Sequence, residues 1–316
     1  MSYTFDEIKT IFNQLHVDKN KNRYTCGLAP HKPILILSLI LLFKNKRVDL
    51  ENITIDLYLR EIWSDLWSCL EYSHPGPIYL PFYHLKSEGF WEIDYNKNSS
   101  TNQPRSVKQI HQRINRAIVD SSVITFFKQN PSRKELINTI LNAGYFSKNE
   151  IIKLTKMINE IDDSFIYQEK LQKLVNDRFI IRQIIDNKKI SPSRNPAFRR
   201  LVLEAYDETC AICQMKLENS IGLSIIDAAH ILPFSRFHND DVRNGLSLCK
   251  LHHWLFDHGL ISVDEQYNIH VSKNIDYEWP DKLVSSFHNN KINLPHNKNN
   301  FPSPIALNWH KTNVFD

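Results

Sequence analysis

The sequence predicts two domains, a mostly α N-terminal domain followed by a small α+β C-terminal domain. Three observations predict them. Apolar residues in the first 165 positions recur at intervals of three and four, the spacing of a helix face. A C-x-x-C pair, Cys210 and Cys213, is matched by a C-x-x-H pair, Cys249 and His252, which together make a clasp for a small fold. A chain of 316 residues also exceeds what one hydrophobic core usually serves. The expected boundaries are 1–165 for the helical domain, 166–194 for a helix and linker, and 195–316 for the second domain.

Phe5, Ile8, Ile11, Phe12 and Leu15 open the chain as an amphipathic helix. After a polar loop, Pro30 and Pro33 stand at the start of the apolar run Ile34 to Phe43, where a missing N–H costs nothing, so a buried helix follows. Ile55 to Trp67 is a third helix, and Ser73 to Pro81, with three prolines and a glycine, reads as an irregular loop. Val107, Ile110, Ile114, Ala117 and Ile118 predict one basic amphipathic helix over Ser106 to Lys128. Helices continue over Arg133 to Leu141 and Glu150 to Ile161. The polar, proline-containing stretch at 186–196 marks the linker. Beyond it, Phe198 to Tyr206 suits a helix, and a strand is expected within Leu223 to Phe234, which is β-branched and apolar.

Composition excludes some classes of protein. With 42% hydrophobic and 23% charged residues and no low-complexity tract, general disorder is not expected. The longest apolar run, Pro33 to Phe43, is shorter than the roughly 20 residues a bilayer requires, so no membrane partner is expected. The first residues lack the basic, apolar and small-residue regions of an export signal, which predicts a cytoplasmic protein. In that compartment thiols stay reduced, so the clustered cysteines among the five read as metal ligands and not as disulfides. Charge is uneven. Residues 1–189 hold 27 Lys and Arg against 21 Asp and Glu, whereas 190–316 hold 12 against 14. The excess is sharpest from Asn96 to Lys134, where Lys97, Arg105, Lys108, Arg113, Arg116, Lys128, Arg133 and Lys134 face only Asp120. Such a stripe suits phosphate binding or a solvated face.

Two matched pairs deliver four ligands to one tetrahedral site, the requirement of structural Zn2+. Cys210, Cys213, Cys249 and His252 are those ligands. All four positions are taken by protein, so the ion would hold the fold and leave no place for water. Threaded through this frame are Asp227-Ala-Ala-His230-Ile-Leu-Pro, then Arg243-Asn244-Gly-Leu-Ser-Leu-Cys249, then His253-Trp-Leu-Phe-Asp257. The order of His, Asn and His resembles HNH endonucleases of the ββα-metal type, and the closing Pro304 to Phe315 is similar to the tail of a subgroup of them. The resemblance spans about residues 195–316. It implies His230 as general base, a neutral imidazole that takes a proton from water. It implies Asn244 as the amide that fixes the catalytic loop, and His253 as the third motif residue near a catalytic Mg2+ or Mn2+. Many HNH enzymes carry a metal-binding Asp or His directly before the base, where this chain has Ala229. Asp227 and Asp257 are the nearby carboxylates, although alternation along a regular strand points Asp227 away from the His230 face. The lone residues His238, His258, His270 and His288 read as structural.

The first domain carries Ala29-Pro-His31-Lys32-Pro33 and, later, Tyr79-Leu80-Pro81-Phe-Tyr-His-Leu85 followed by Glu88-Gly-Phe-Trp91. These segments resemble the sulfur-binding domain of type IV restriction endonucleases, which recognise phosphorothioate-modified DNA. The resemblance implies a shallow pocket lined by Tyr79, Leu80 and Pro81, with His31, Lys32 and Arg105 meeting the phosphate and adjacent bases. The family usually has an aromatic before the pocket proline; Leu80 stands there in this chain. The expected protein is thus a modification-dependent restriction endonuclease acting on double-stranded, phosphorothioated DNA. A nuclease triggered by methylated bases or plain sequence, or an inactive zinc-containing DNA-binding protein, are the alternatives. A double-strand cut is compatible with a homodimer.

Overall fold

The computed structural model describes residues 2–72, 74, 76–181, 194–275 and 284–316. The expected linker at 186–196 lies outside the described residues up to 193. The chain separates into two units, Met1–Asp162 with Glu218–Leu223, and Asp163–Leu217 with Ser224–Asp316.

In the first unit, α1 (Phe5–Asn13) starts in a capping box, the Thr4 side chain accepting from the Glu7 amide and the Glu7 carboxylate from the Thr4 amide. α2 (His31–Lys44) is buried from Lys32 through Leu42, as a helix apolar on every side must be. α3 (Leu57–Trp67) is capped by Asp56 and packs against α2. The loop expected at 73–81 is shorter than that; Ser73 and Pro75 lie outside the described residues, and Tyr79 already begins α4 (Tyr79–His84). Pro81 is tolerated there because it falls in the first turn, where no intrahelical N–H bond is needed.

The single basic helix expected over 106–128 is corrected to a helix, a strand and a helix: α5 (Val107–Arg113), β2 (Ile114–Val119) and α6 (Ser121–Lys128). The spacing of Ile114 and Ala117 suits either structure. What decides is pairing with β1 (Trp91–Tyr95), antiparallel from Trp91 opposite Val119 to Tyr95 opposite Ile114, which gives the β-branched segment a ladder. The basic stripe is therefore spread over the loop ahead of α5, α5, β2, α6 and the helix that follows, and Arg116 is engaged with Asp94 at 3.4 Å. α7 (Asn130–Asn142) packs on α1, and α8 (Lys148–Leu174) runs on through residue 165.

The second unit contains the later part of α8, then α9 (Arg194–Ala205), β3 (Ile226–His230), α10 (Phe234–Phe237), β4 (Gly245–Cys249), α11 (Lys250–Asp257), β5 (Ile261–Val263), β6 (Ile269–Val271) and α12 (Pro304–Asn313). β3 and β4 are antiparallel, Ile226 opposite Cys249 and His230 opposite Gly245, and α11 begins immediately after β4. α9 packs on both strands through Phe198 and Val202. α12 is fastened by His310, whose ring nitrogens lie 2.9 Å from Ser262 Oγ and 3.1 Å from the Phe256 carbonyl. No helix among the described residues is long and apolar enough to cross a membrane.

Candidate active site

The metal clasp is assembled from a turn and a helix start. Cys210 donates its amide to the Met215 carbonyl and accepts from Gln214, closing a tight turn in which Gln214 has φ +58°. The Ala211 amide donates to the Ser247 carbonyl at 2.7 Å, and Ser247 Oγ donates to the Thr209 carbonyl, which ties the turn to β4. Cys249 ends β4 as the N-cap of α11, and His252 lies in that helix's first turn.

The ligand atoms of Cys210, Cys213, Cys249 and His252 all lie within 4.8 Å of one another. His252 Nδ1 is 3.5 Å from Cys210 Sγ and 3.2 Å from Cys249 Sγ, and the Cys213 and Cys249 sulfurs are 4.0 Å apart. A tetrahedron with arms of about 2.3 Å has edges of about 3.8 Å, so the four donors fit Zn2+ and can hold it. Hydrogen bonds from Cys213 and then Cys249 hold the Cys210 thiol far below its ordinary value, while the same crowding pushes Cys213 up. A divalent cation resolves that conflict by replacing the protons.

His230 closes β3. Its ring stacks on Phe198 of α9 at 3.9 Å and 9°, and Phe234 lies across it at 5.4 Å. Its Nε2 is 2.9 Å from Oδ1 of the buried Asp240, whose Oδ2 accepts from the Tyr167 hydroxyl at 2.9 Å. The imidazole retains 20% of its exposure, so one edge reaches solvent.

Asn244 is fully buried and pins the connection that leaves β3. Its Oδ1 accepts from the Leu232 amide at 2.9 Å, its Nδ2 donates to the carbonyls of Leu232 and Asn239, and its own carbonyl accepts from Ile231. Every polar atom of that amide has a partner, which makes the connection rigid.

His253, one position past His252 of the cluster, has a carboxylate at each ring nitrogen: Asp227 at 3.6 Å from Nδ1 and Asp257 at 3.4 Å from Nε2. Asp227 raises His253 above the usual histidine value against the opposing effect of burial, with Asp257 adding to it. Hydrogen bonding to His253, ahead of Lys250, holds Asp227 at about 2. Asp227 also pairs with Lys250 and lies 4.0 Å from Arg199. Asp227 thus meets α11, whereas His230 meets α9 and Asp240.

Of the residues singled out in the first unit, His31, Lys32, Leu80 and Pro81 line one cleft of about 370 Å³, together with Arg23 and His84. Tyr79 and Arg105 do not line it. Burial depresses His31 to about 4, which leaves it neutral near pH 7, and burial followed by Lys32 lowers His84. The Lys32 ammonium is buried and neutralised by Glu88, and also donates to Ser87 at 2.9 Å. Glu88, from the Glu-Gly-Phe-Trp segment, thereby supports the cleft from behind.

Sequence reasoning missed Asp240, Tyr167 and Phe198. Asp240 had a faint signal, an acidic pair just ahead of Arg243-Asn244, whereas Tyr167 lies 73 positions from its partner, where no spacing rule reaches.

Residues 210–264 match the family model described as HNH endonuclease. A solved structure, a modification-dependent TagI restriction endonuclease, is similar at 20% identity and a TM-score of 0.31, over 42% of this chain and 41% of its own. The chain thus spans less than half the length of that protein. No curated protein matches.

Proposed function

Because residues 210–264 form an HNH endonuclease domain, we propose that the protein is a modification-dependent (type IV) restriction endonuclease that recognises phosphorothioated double-stranded DNA and hydrolyses its phosphodiester bonds. The observation that supports the nuclease reading is that one strand–strand–helix unit carries His230 at the end of β3, the Asn244 clamp ahead of β4 and His253 in α11, together with the Cys3His cluster. His230 takes the proton of the attacking water, and the P–O3′ bond breaks to leave a 5′ phosphate and a 3′ hydroxyl. Asn244 keeps the base at the end of β3. Mg2+ or Mn2+, when bound, polarises the scissile phosphate and stabilises the leaving 3′ oxygen.

A neutral imidazole has one lone pair, and the two carboxylates face opposite nitrogens of His253. An ion held by His253 therefore takes Asp227 or Asp257 and not both. Asp227 is the better donor. It shares its strand face with Ala229, the place where related enzymes carry a ligand, and it stays ionised. Zn2+ at Cys210, Cys213, Cys249 and His252 holds the frame.

In the first unit, the cleft offers Leu80 and Pro81 as apolar wall, neutral His31, and a Lys32 whose charge is already spent on Glu88. A sulfur in place of a non-bridging oxygen is larger and less strongly hydrated, so it loses less on entering such a cleft. The exposed Arg23 at the cleft and Arg105 beyond it supply charge for flanking phosphates.

The test compares matched duplexes, phosphorothioated, methylated and unmodified, for binding and for cleavage with Mg2+ and Mn2+. Binding of the phosphorothioated duplex at least about tenfold tighter is expected. Equal binding removes the sulfur trigger, cleavage confined to methylated DNA moves the trigger to the base, and binding without cleavage in either metal indicates an inactive DNA-binding protein. His230→Ala is expected to abolish cleavage with zinc content and DNA affinity retained.

A further inference from the structure

We propose that Asp240 is the positioning residue of the reaction, holding His230 in its base-competent tautomer, with Tyr167 fastening the far side of the same carboxylate. The proposal rests on the nuclease reading above. Asp240 is 2% exposed, yet its two oxygens are each given one partner, His230 Nε2 at 2.9 Å and the Tyr167 hydroxyl at 2.9 Å.

A carboxylate can only accept, so Nε2 carries the proton and the lone pair is at Nδ1. Nδ1 has no hydrogen-bond partner among the described residues, and the ring edge is open to solvent. The imidazole is thus presented with its basic nitrogen outward. When Nδ1 takes a proton from water, the charge that forms on the ring lies beside a buried anion.

Other groups around the ring leave that task to Asp240. α9 contributes the Phe198 face, and its next residue, Arg199, turns to the Ile226 carbonyl and Asp227. α10 contributes Phe234, and the facing β4 residue is Gly245. The neighbouring Asp241 is occupied by Arg243 at 2.6 Å. Tyr167 comes from α8. None of these brings a second charge to His230.

Asp240→Asn keeps the shape and removes the charge. The amide can donate to Nε2, which moves the ring proton to Nδ1. Cleavage is expected to fall about 10²- to 10⁴-fold in kcat with KM and zinc content unchanged. The pH profile of kcat is expected to change with the substitution, because the ring then has an amide and not an anion beside it. Tyr167→Phe is expected to cost less than about tenfold. A purely structural residue would instead lower the melting temperature and zinc content and leave the pH profile unchanged.

A second measurement is independent of cleavage. In protein labelled with 15N-histidine, the His230 signals, assigned by their loss in His230→Gln, are expected to show Nε2 protonated in the wild type. In Asp240→Asn the ring proton is expected at Nδ1. A wild-type ring protonated at Nδ1, or a tautomer and pH profile unmoved by the substitution, overturns the proposal. If the wild type cleaves nothing while the spectra behave as expected, the nuclease reading falls and the Asp240–His230 coupling stands.

Discussion

His253 lies between two carboxylates, and the two make different predictions. Asp227 is about three-quarters buried and ionised at any working pH, while Asp257 is half exposed at the end of α11. Asp227→Asn is expected to lower cleavage more than about 100-fold and to weaken Mn2+ binding, and Asp257→Asn less than about tenfold. The reverse order, read from the same titrations, would exchange the two as ligands. A different accounting applies to Lys32. Its removal leaves the buried Glu88 with only His16 and Ser87 as partners among the described residues, so Lys32→Met is expected to cost up to about 3–5 kcal/mol in denaturant unfolding, whatever DNA is present. Recognition is therefore better probed at Leu80.

Histidine burial also sets a pH dependence. His31 and His310 are both held at about 4 by burial, while the unfolded chain takes up protons near 6.5. Between those values the unfolded state binds more protons, so stability falls as pH drops from about 6.5 to 4, by up to about 3 kcal/mol per residue. Melting temperatures across that window check it, and His310→Gln should flatten part of the slope. At this scale the sequence was informative where chemistry is local. Cys210 and Cys213, or Cys249 and His252, lie three apart and announce a tetrahedral donor set. Asp240 and Tyr167 meet only after folding.

Among the elements, the connection from β3 to β4 is the most constrained. Asn244→Ala leaves the Leu232 amide and two carbonyls buried without a partner, and about 2–3 kcal/mol of destabilisation is expected by chemical denaturation. Gly245, opposite His230, has no room for a side chain: a Cβ there collides with Val202 and meets Phe198 at 3.0 Å. Gly245→Ala is therefore expected to push α9 outward, loosen the ring stacked on His230, and reduce cleavage while zinc stays bound. The helix-period reading of 106–128 failed for a related reason. Ile114 and Ala117 satisfy a helix face as well as a strand, and the ladder offered by Trp91–Tyr95 is a long-range fact that periodicity does not contain. The β3 strand and α9 were legible because a β-branched, apolar run and a helical stretch agreed with what the packing later required.

For the whole molecule, the two units predict a partial response to chelation. A zinc ion held by the Cys3His cluster would stabilise the second unit, because an unfolded chain offers no such site. About one zinc per chain is expected by elemental analysis. Chelation or Cys249→Ala is expected to remove part of the helical circular dichroism and leave the signal of α1 to α7. Complete unfolding in a single step would contradict the separation into units.

α8 grips the loop before β4 at two places. Tyr167 holds Asp240, and about two turns further along, the carbonyl of Leu174 at the helix end and that of Asp177 just beyond it accept from the Arg243 guanidinium at 2.8 and 2.9 Å. A genetic selection for cells that survive the enzyme would therefore gather lesions in a helix bearing none of the motif letters. Substitutions that bend or shorten its second half would score as losses of catalysis in folded, metal-loaded protein.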